Sequence, residues 1–163
     1  MIRAILPLDG VWLDAAAQVH SASWKESHRA ICSEVFVAAH TPARQRAYLQ
    51  EQIAQGKRFF VLVQGKECLG LISVCQGLIE NLYVNPAHYR QGIGTALLNY
   101  ACSLCKQPVL WVLSSNDRAI ALYEKRGFRF TGKEKQLKGT LKELEMKLNE
   151  PGEYHEHPYD DDR

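Results

Sequence analysis

The 163-residue sequence has no long hydrophobic run, because no segment approaches the ~18 apolar residues that a membrane-spanning helix needs. Its first residues also lack the basic region, apolar stretch and small-residue cleavage site of a secretory signal peptide. These two absences predict a cytoplasmic protein without a membrane partner.

Cysteines are few and odd in number: the sequence contains five. An odd count without a secretion signal argues against a disulfide framework. Cys102 and Cys105 form a C-x-x-C pair, but a zinc site would need two further ligands and a redox pair would need a cysteine at a helix N-terminus. We expect both thiols to lie buried inside the helix that starts near Gly92, and we expect no metal.

The sequence also lacks clusters of Lys and Arg interleaved with aromatic residues, which argues against a nucleic-acid partner. No internal repeat or linker divides the chain, so we expect a single domain over residues 1–149. Residues 150–163 contain six acids against one base and few apolar residues, and we predict a disordered tail there. The formal charge of the whole chain is +2, because residues 1–149 carry +7 and residues 150–163 carry −5.

The most informative segment that is present runs from Ile79 to Leu98. Leu82, Tyr83 and Val84 are typical of a buried strand, and the following Asn-Pro pair ends it. Gly92-Ile93-Gly94 then precedes residues that favour a helix. A helix N-terminus after a glycine-bearing loop exposes unpaired N–H groups and binds phosphate.

Two common phosphate-binding motifs do not fit this segment. The dinucleotide motif G-x-G-x-x-G fails because Leu97 stands at the third glycine position, and the Gly-Lys-Ser/Thr ending of the P-loop is absent. The pattern instead predicts a cradle for a diphosphate that is held and not cleaved.

The segment Asn81–Leu98 resembles the acetyl-CoA-binding motif of the GNAT superfamily of N-acetyltransferases, Gln/Arg-x-x-Gly-x-Gly/Ala. Residues 116–128 resemble the second motif of that family, Asn-x-x-Ala-x-x-x-Tyr-x-x-x-Gly-Phe. One position departs from the first motif, since Tyr89 stands where the family has Gln or Arg. The resemblance implies a GNAT-like α+β fold: a mixed, mostly antiparallel twisted sheet of about seven strands with helices on both faces.

The resemblance also implies acetyl-CoA as co-substrate, and the positive charge of residues 1–149 suits this anion. The pantetheine arm would pair with backbone groups of the central strand, the diphosphate would rest on loop and helix N–H groups, and Asn116 would contact the arm or serve only as a cap. The implied cofactor-binding residues are Leu82, Tyr83, Val84, Tyr89, Arg90, Gln91, Gly92, Ile93, Gly94, Thr95, Ala96 and Asn116.

By the same resemblance, Tyr123 would protonate the departing thiolate. The alternative is that Tyr123 is an aromatic residue that only packs in the core. Glu80, the carboxylate on the central strand, is the candidate base; alternatively it is exposed or paired with a neighbouring cation. Water relays could replace a side-chain base. Trp24, His28 and Phe36 are candidates for contact with the acceptor, with packing and surface roles as alternatives.

The implied function is transfer of an acetyl group to a primary amine of a small molecule or peptide, by direct attack through a ternary complex. Two alternatives stay open: a non-catalytic acyl-CoA-binding or sensing module, and transfer of a longer acyl chain. Homodimers are frequent in the resembling family.

Four local patterns complete the predictions. Apolar residues at helical spacing, Val11, Ala15, Val19 and Ala22, predict a helix from Leu8 to about Ser27. Thr41 and Pro42 indicate the start of another helix that Gly56 ends. Gly70 inside a strand indicates close packing or a bulge, and Ser114 or Ser115 is the expected cap of a helix over residues 117–126.

Overall fold

The computed structural model of the protein describes residues 2–149, so the acidic segment 150–163, for which we predict disorder, lies outside the described residues. The strands are β1 Arg3–Pro7, β2 Arg58–Gln64, β3 Glu67–Cys75, β4 Leu78–Val84, β5 Val109–Leu113, β6 Phe128–Gln136 and β7 Lys142–Leu148. The helices are α1 Leu13–His28, α2 Glu34–Ala38, α3 Pro42–Ala54, α4 Ile93–Ser103 and α5 Asp117–Arg126, with a 3-10 turn at Pro86–His88.

The seven strands follow the order β1-β2-β3-β4-β5-β7-β6 in a mostly antiparallel sheet, which confirms the predicted α+β class. The chain forms two compact units. The first comprises residues up to Cys75 with Ile79–Ala101, and the second comprises Gln76–Leu78 with the described residues from Cys102 onward. Within residues 2–149, no helix has the length and apolar content needed to cross a bilayer.

In the first unit, helices cover both faces of strand β2. Phe59, Val61 and Val63 belong to one buried cluster with residues of α1 and α3, whereas the ring of Phe60 lies 5.0 Å from that of Tyr100 on α4. Because successive strand residues point to opposite faces, this alternation places α1 and α3 on one side and α4 on the other. A strand buried on both faces explains why residues 59–63 of β2 form a continuous apolar run.

Gly70 provides the close approach between β3 and α4. A Cβ at this position would lie 2.9 Å from Leu97 Cδ1 and 3.0 Å from the carbonyl oxygen of Tyr83. The β2–β3 register also shifts between Leu62 and Val63, opposite this part of β3. Both predictions for Gly70, close packing and a bulge, are therefore confirmed.

The prediction for α1 was wrong in its start and in its buried face. The helix begins at Leu13, with Trp12 as an N-cap that makes no side-chain capping bond. Its buried face carries Leu13, Ala16, Ala17 and His20, and Val11 is 83% exposed. Of the predicted apolar residues, only Val19 is buried.

Helix termini elsewhere were predicted more accurately. Thr41 caps α3, where its hydroxyl accepts a hydrogen bond of 3.2 Å from Arg44 N, as predicted. The cap of α5 is Asn116 and neither predicted serine, while Gly127 ends that helix in a left-handed conformation, as expected of a C-terminal glycine. Helix α4 ends at Ser103, so Cys105 lies outside it, contrary to prediction, and it is half-buried. Cys102 is buried, and none of the five cysteines, all within the described residues, forms a disulfide bond.

Candidate active site

The predicted strand, loop and helix are present in the first unit. Strand β4 ends at Val84, and Asn85 starts the 3-10 turn by accepting a 3.0 Å hydrogen bond from Ala87 N. The Asn85 N–H donates to the Leu69 carbonyl at 2.8 Å, which ties the end of β4 to β3. The loop then reaches α4, which begins at Ile93.

The N-terminus of α4 presents free hydrogen-bond donors. Its first intrahelical bond runs from Ala96 N to Gly92 O at 3.0 Å, so the N–H groups of Ile93, Gly94 and Thr95 have no partner within the helix. Among residues 2–149, no other group accepts from these three. The Ala96 N–H, by contrast, is already used inside the helix, and contact of Ala96 with the cofactor stays a prediction.

The loop before α4 is shaped to receive an anion. Arg90 and Gly92 have φ values of 65° and 79°, and alternation of left-handed residues with ordinary ones turns successive N–H groups into one concavity. A Cβ built on Gly92 would meet no atom within 4 Å, so there is open space beside the backbone. The donor set and the space both suit a diphosphate.

Arg3 fixes this loop to the first strand, a contact that the sequence did not reveal. Its guanidinium donates to the Gln91 carbonyl at 2.9 Å, to Gln91 Oε1 at 3.2 Å and to Gln64 Oε1 at 3.1 Å. His88 Nδ1 lies 3.3 Å from Gln91 Oε1, and His88 Nε2 lies 3.0 Å from Glu67 Oε2. The Gln91 side chain therefore serves the loop itself, and Tyr89 follows the turn in an extended conformation.

Strand β4 is not regular. Asn81 has a φ of 57°, a left-handed conformation in mid-strand that interrupts the alternation of side chains. Leu82, Tyr83 and Val84 follow it and are half-buried. The ring of Tyr83 lies 4.4 Å from the imidazole of His20 on α1. The predicted pantetheine-binding residues therefore lie directly after a break in the strand.

Glu80 forms an ion pair with Lys57, in which Nζ lies 2.6 Å from Oε1. Partial burial lowers the pKa of Lys57, but the hydrogen bond and the charge of Glu80 outweigh it and raise that pKa above its usual value. The Glu80 side chain is 37% exposed, so water reaches the carboxylate. The ion pair matches the alternative prediction for Glu80, that it pairs with a neighbouring cation. Its role as the base stays a prediction.

Trp24, His28 and Phe36 lie together in an aromatic cluster, joined by His40. The Trp24 ring is sandwiched between His28 at 3.8 Å and His40 at 3.5 Å, with interplanar angles of 7° and 10°. Phe36 meets Trp24 edge-on at 5.8 Å and is 46% exposed. Both faces of Trp24 are occupied, so only its edge and the exposed part of Phe36 remain for an acceptor.

His28 is held in a defined orientation within this cluster. Its Nδ1 lies 2.9 Å from the Trp24 carbonyl and 2.9 Å from Ser27 Oγ. Burial lowers the pKa of His28 below its usual value, and the Trp24 carbonyl only partly opposes that effect. Contact of Trp24, His28 and Phe36 with substrate stays a prediction.

In the second unit, Asn116 and Tyr123 lie on α5. Asn116 Oδ1 accepts a 3.2 Å hydrogen bond from Ala119 N as the helix cap, which leaves the amide Nδ2 available as a donor. Tyr123 is buried beside Phe128, at a ring distance of 6.0 Å. Burial raises the pKa of Tyr123 to about 12, so the phenol is protonated at neutral pH.

The Tyr123 hydroxyl is a buried polar group that finds no partner in the described part of the chain. Within residues 2–149, no group makes a hydrogen bond to it. Such groups are rare in folded proteins because each costs ~1–3 kcal/mol. An orphaned hydroxyl of this kind fits a group that meets a ligand.

The second unit also contains a buried carboxylate that the sequence did not single out. Glu145 on β7 is 7% exposed and accepts a 2.7 Å hydrogen bond from Thr131 Oγ1. Among residues 2–149, no group of three or more His, Cys, Asp or Glu side chains is arranged to hold a metal ion.

Solved structures share this fold. The chain has a TM-score of 0.72 and 20% identity to the PaiA N-acetyltransferase of Thermoplasma acidophilum, solved in complex with coenzyme A, over 92% of this chain and 100% of that one. It has a TM-score of 0.75 and 19% identity to a GCN5-related N-acetyltransferase from Rhodopseudomonas palustris, over 92% of this chain and 97% of the other. The ribosomal-protein-S18-alanine N-acetyltransferase of Escherichia coli gives a TM-score of 0.66 and 22% identity, over 90% and 93% of the two chains.

A family model extends the likeness from fold to sequence. The model of the acetyltransferase (GNAT) family matches residues 21–128. The match includes β4, the loop, the N-terminus of α4 and both motifs on which the resemblance was noted. The match spans well over half of the sequence, and the protein therefore belongs to the acetyltransferase (GNAT) family.

Proposed function

We propose that the protein transfers an acetyl group from acetyl-CoA to a primary amine of a small molecule or peptide, by direct attack within a ternary complex. The observation that carries the proposal is the N-terminus of α4, where Ile93, Gly94 and Thr95 offer free N–H donors beside open space at Gly92. Family membership and the coenzyme A complex of the Thermoplasma relative support the same co-substrate.

The donors of the loop and helix hold the diphosphate. N–H groups from Arg90 to Thr95 and the positive end of the α4 dipole bind the negative charge without a lysine or a metal ion. Arg3 keeps the loop in place through Gln91 and adds positive charge beside it. Backbone groups of Leu82 and Val84 pair with the pantetheine arm, and Asn116 Nδ2 donates to it.

Acetyl-CoA supplies an activated thioester, and the protein orients it for attack. The Leu82 N–H, directly after the break in β4, stabilises the charge that develops on the carbonyl oxygen. Glu80, reached by water, accepts the proton of the amine directly or through a water molecule. Tyr123 donates its proton to the leaving sulfur, since its raised pKa keeps the phenol protonated.

The orphaned hydroxyl of Tyr123 favours catalysis over a binding or sensing role. A module that only bound acyl-CoA would gain nothing from a buried donor that costs stability when no ligand is present. The exposed edge of the cluster around Trp24 is the proposed contact for the acceptor, because Trp24 lies on α1, whose His20 contacts Tyr83 of β4, and because part of Phe36 stays open.

The direct test is release of free thiol from acetyl-CoA, measured with a panel of small-molecule and peptide amines. We expect release that depends on both protein and amine for one class of acceptor. Tight binding of acetyl-CoA without release for any amine would support the binding module, and faster release from longer acyl-CoA esters would correct the acyl group. Absence of both binding and release would overturn the proposal.

A further inference from the structure

His20 and Asn81 lie at the centre of a buried chain of hydrogen bonds that the proposed chemistry does not use. His20 Nε2 lies 3.3 Å from Asn81 Oδ1, and Gln45 Nε2 lies 2.7 Å from His20 Nδ1. The Tyr48 hydroxyl donates to the same Asn81 oxygen at 3.3 Å. His20 and Gln45 are only 3% and 4% exposed, so these polar groups depend on one another.

The chain continues from Asn81 into the sheet. Asn81 Nδ2 donates to Ser73 Oγ at 3.0 Å, and the Ser73 hydroxyl donates to the Glu80 carbonyl at 3.1 Å. Ser73 is 1% exposed. The network therefore joins α1, α3, β3 and β4 at the point where Asn81 breaks the strand.

The direction of every bond follows from one end of the network. A carbonyl only accepts, so the single Ser73 proton goes to Glu80 O, and Ser73 Oγ must accept from the Asn81 amide nitrogen. Asn81 Oδ1 then faces His20 and only accepts, so His20 carries its proton on Nε2. The unprotonated Nδ1 of the neutral ring accepts from Gln45.

The conformation of Asn81 needs such support. A left-handed residue in a strand is costly, although asparagine tolerates it better than most residues. If Asn81 relaxed to an extended conformation, the residues after it would shift relative to the faces of the sheet. The Tyr83 ring, now 4.4 Å from His20, would lose that contact, and the Leu82 N–H would change direction.

We propose that His20 and Asn81 are positioning residues, which hold the break in β4 and thereby set the direction of the Leu82 N–H on which the thioester carbonyl rests. The inference rests on the proposed function, because that function gives the Leu82 N–H its role. Neither residue touches the reacting atoms. Both act through the backbone of β4.

The test separates the side-chain network from the backbone conformation. Glycine adopts a positive φ freely, so Asn81→Gly keeps the conformation accessible and removes only the amide. The matched control is Gln76→Gly, because Gln76 also has a positive φ, 50°, and takes no part in the network. His20→Leu removes the donor to Asn81, whereas His20→Gln retains an amide donor near the position of Nε2.

The measurements are kcat and KM for acetyl-CoA in the thiol-release assay, with the amine that the wild type accepts. We expect Asn81→Gly and His20→Leu to lower kcat roughly 10²-fold, the range for a displaced oxyanion donor, with KM within about threefold. Gln76→Gly should match the wild type, and His20→Gln should recover most of the lost rate. The ¹⁵N spectrum of wild-type His20 should show a neutral ring protonated on Nε2.

Other results overturn the proposal. Wild-type kcat in Asn81→Gly would show that the network does not direct the Leu82 N–H. The network would have a purely structural role if Gln76→Gly lost as much kcat as Asn81→Gly. The same conclusion would follow if His20→Gln did not recover the kcat that His20→Leu loses. A His20 ring protonated on Nδ1 would contradict the bond directions even if a variant failed to fold. Failure of the proposed function is distinct, because the wild type itself would then release no thiol.

Discussion

Lys57 Nζ lies 2.6 Å from Glu80 Oε1, so the carboxylate that precedes the break in β4 is one half of an ion pair. The pair can have a structural role, a catalytic role for its carboxylate, or both. Lys57 is 21% exposed at its side chain and Glu80 is 37% exposed, so the interaction itself is worth little once solvent screening is considered. Substitution of each partner separates the two roles.

Glu80→Gln and Lys57→Gln both break this ion pair, but only the first removes the proposed base. We expect Glu80→Gln to lower kcat by ~10²-fold or more, as for loss of a general base, while Lys57→Gln keeps most of the activity. The two should shift the midpoint of urea unfolding by similar small amounts. Equal losses of kcat in both variants would assign Glu80 to structure and leave water relays as the base.

Tyr123→Phe removes a buried hydroxyl that has no partner among the described residues. We expect kcat to fall ~10²-fold through loss of the general acid, while coenzyme A still binds. We also expect the free energy of unfolding to stay the same or to rise, because an unpaired buried hydroxyl destabilises the fold. Steady-state kinetics and urea unfolding measure the two effects. Unchanged turnover would remove Tyr123 from the mechanism, and a large loss of stability would indicate a structural partner for its hydroxyl.

Asn116 has one established role, as the cap of α5, and one proposed role, as a donor to the pantetheine arm. Asn116→Ala should lose both and should destabilise the protein by ~1 kcal/mol. Asn116→Ser keeps a capping oxygen and removes the amide, so it should restore stability but not affinity for acetyl-CoA. Calorimetry and thermal unfolding measure the two properties, and a serine variant with wild-type affinity would limit Asn116 to capping.

The buried neutral His20 predicts a stability that falls in acid. Burial lowers the pKa of His20 from 6.5 to about 4, with the hydrogen bond to Asn81 only partly opposing it. As the pH falls, His20 therefore binds a proton at a higher pH in the unfolded chain than in the folded chain. The stability contributed by the neutral ring is complete above pH 6.5 and is lost as the pH falls to about 4.

This difference between the folded and unfolded pKa of His20 corresponds to a loss of about 3 kcal/mol in the free energy of unfolding as the pH falls from 6.5 to about 4. Urea unfolding of the wild type and of His20→Gln at pH 7 and pH 4.5 measures it. The variant should lose less stability than the wild type between these two values. An equal loss in both proteins would show that His20 does not carry the acid sensitivity.

Much of the fold was predictable because its determinants are local. Thr41 caps α3, Gly127 ends α5, and Asn85 with Pro86 ends β4, since each residue acts within a few positions of itself. Gly70 was also informative, because a glycine inside an apolar strand implies a neighbour that a Cβ would meet. Gly92 and Gly94 identified the loop before α4 in a similar way, because a glycine lets a diphosphate come close to the backbone.

The missed features depend on tertiary structure. The buried face of α1 is set by where the helix starts, and Trp12 gives no capping pattern to mark that start. His20 lies on this buried face because partners from α3 and β4 satisfy it, which sequence spacing does not reveal. Ser114, Ser115 and Asn116 are equally suitable caps in sequence, and backbone geometry selects Asn116.

The central claim, that the N-terminus of α4 cradles the diphosphate of acetyl-CoA, is tested most directly by calorimetric titration of acetyl-CoA into three proteins. These are the wild type, Gly92→Val and the control Gly56→Val. Gly56 also has a positive φ with open space around it, so both variants carry similar backbone strain. We predict micromolar binding to the wild type and to Gly56→Val, and no detectable binding to Gly92→Val, whose side chain fills the space proposed for the diphosphate. Wild-type affinity in folded Gly92→Val, or no binding to the wild type, would contradict the account.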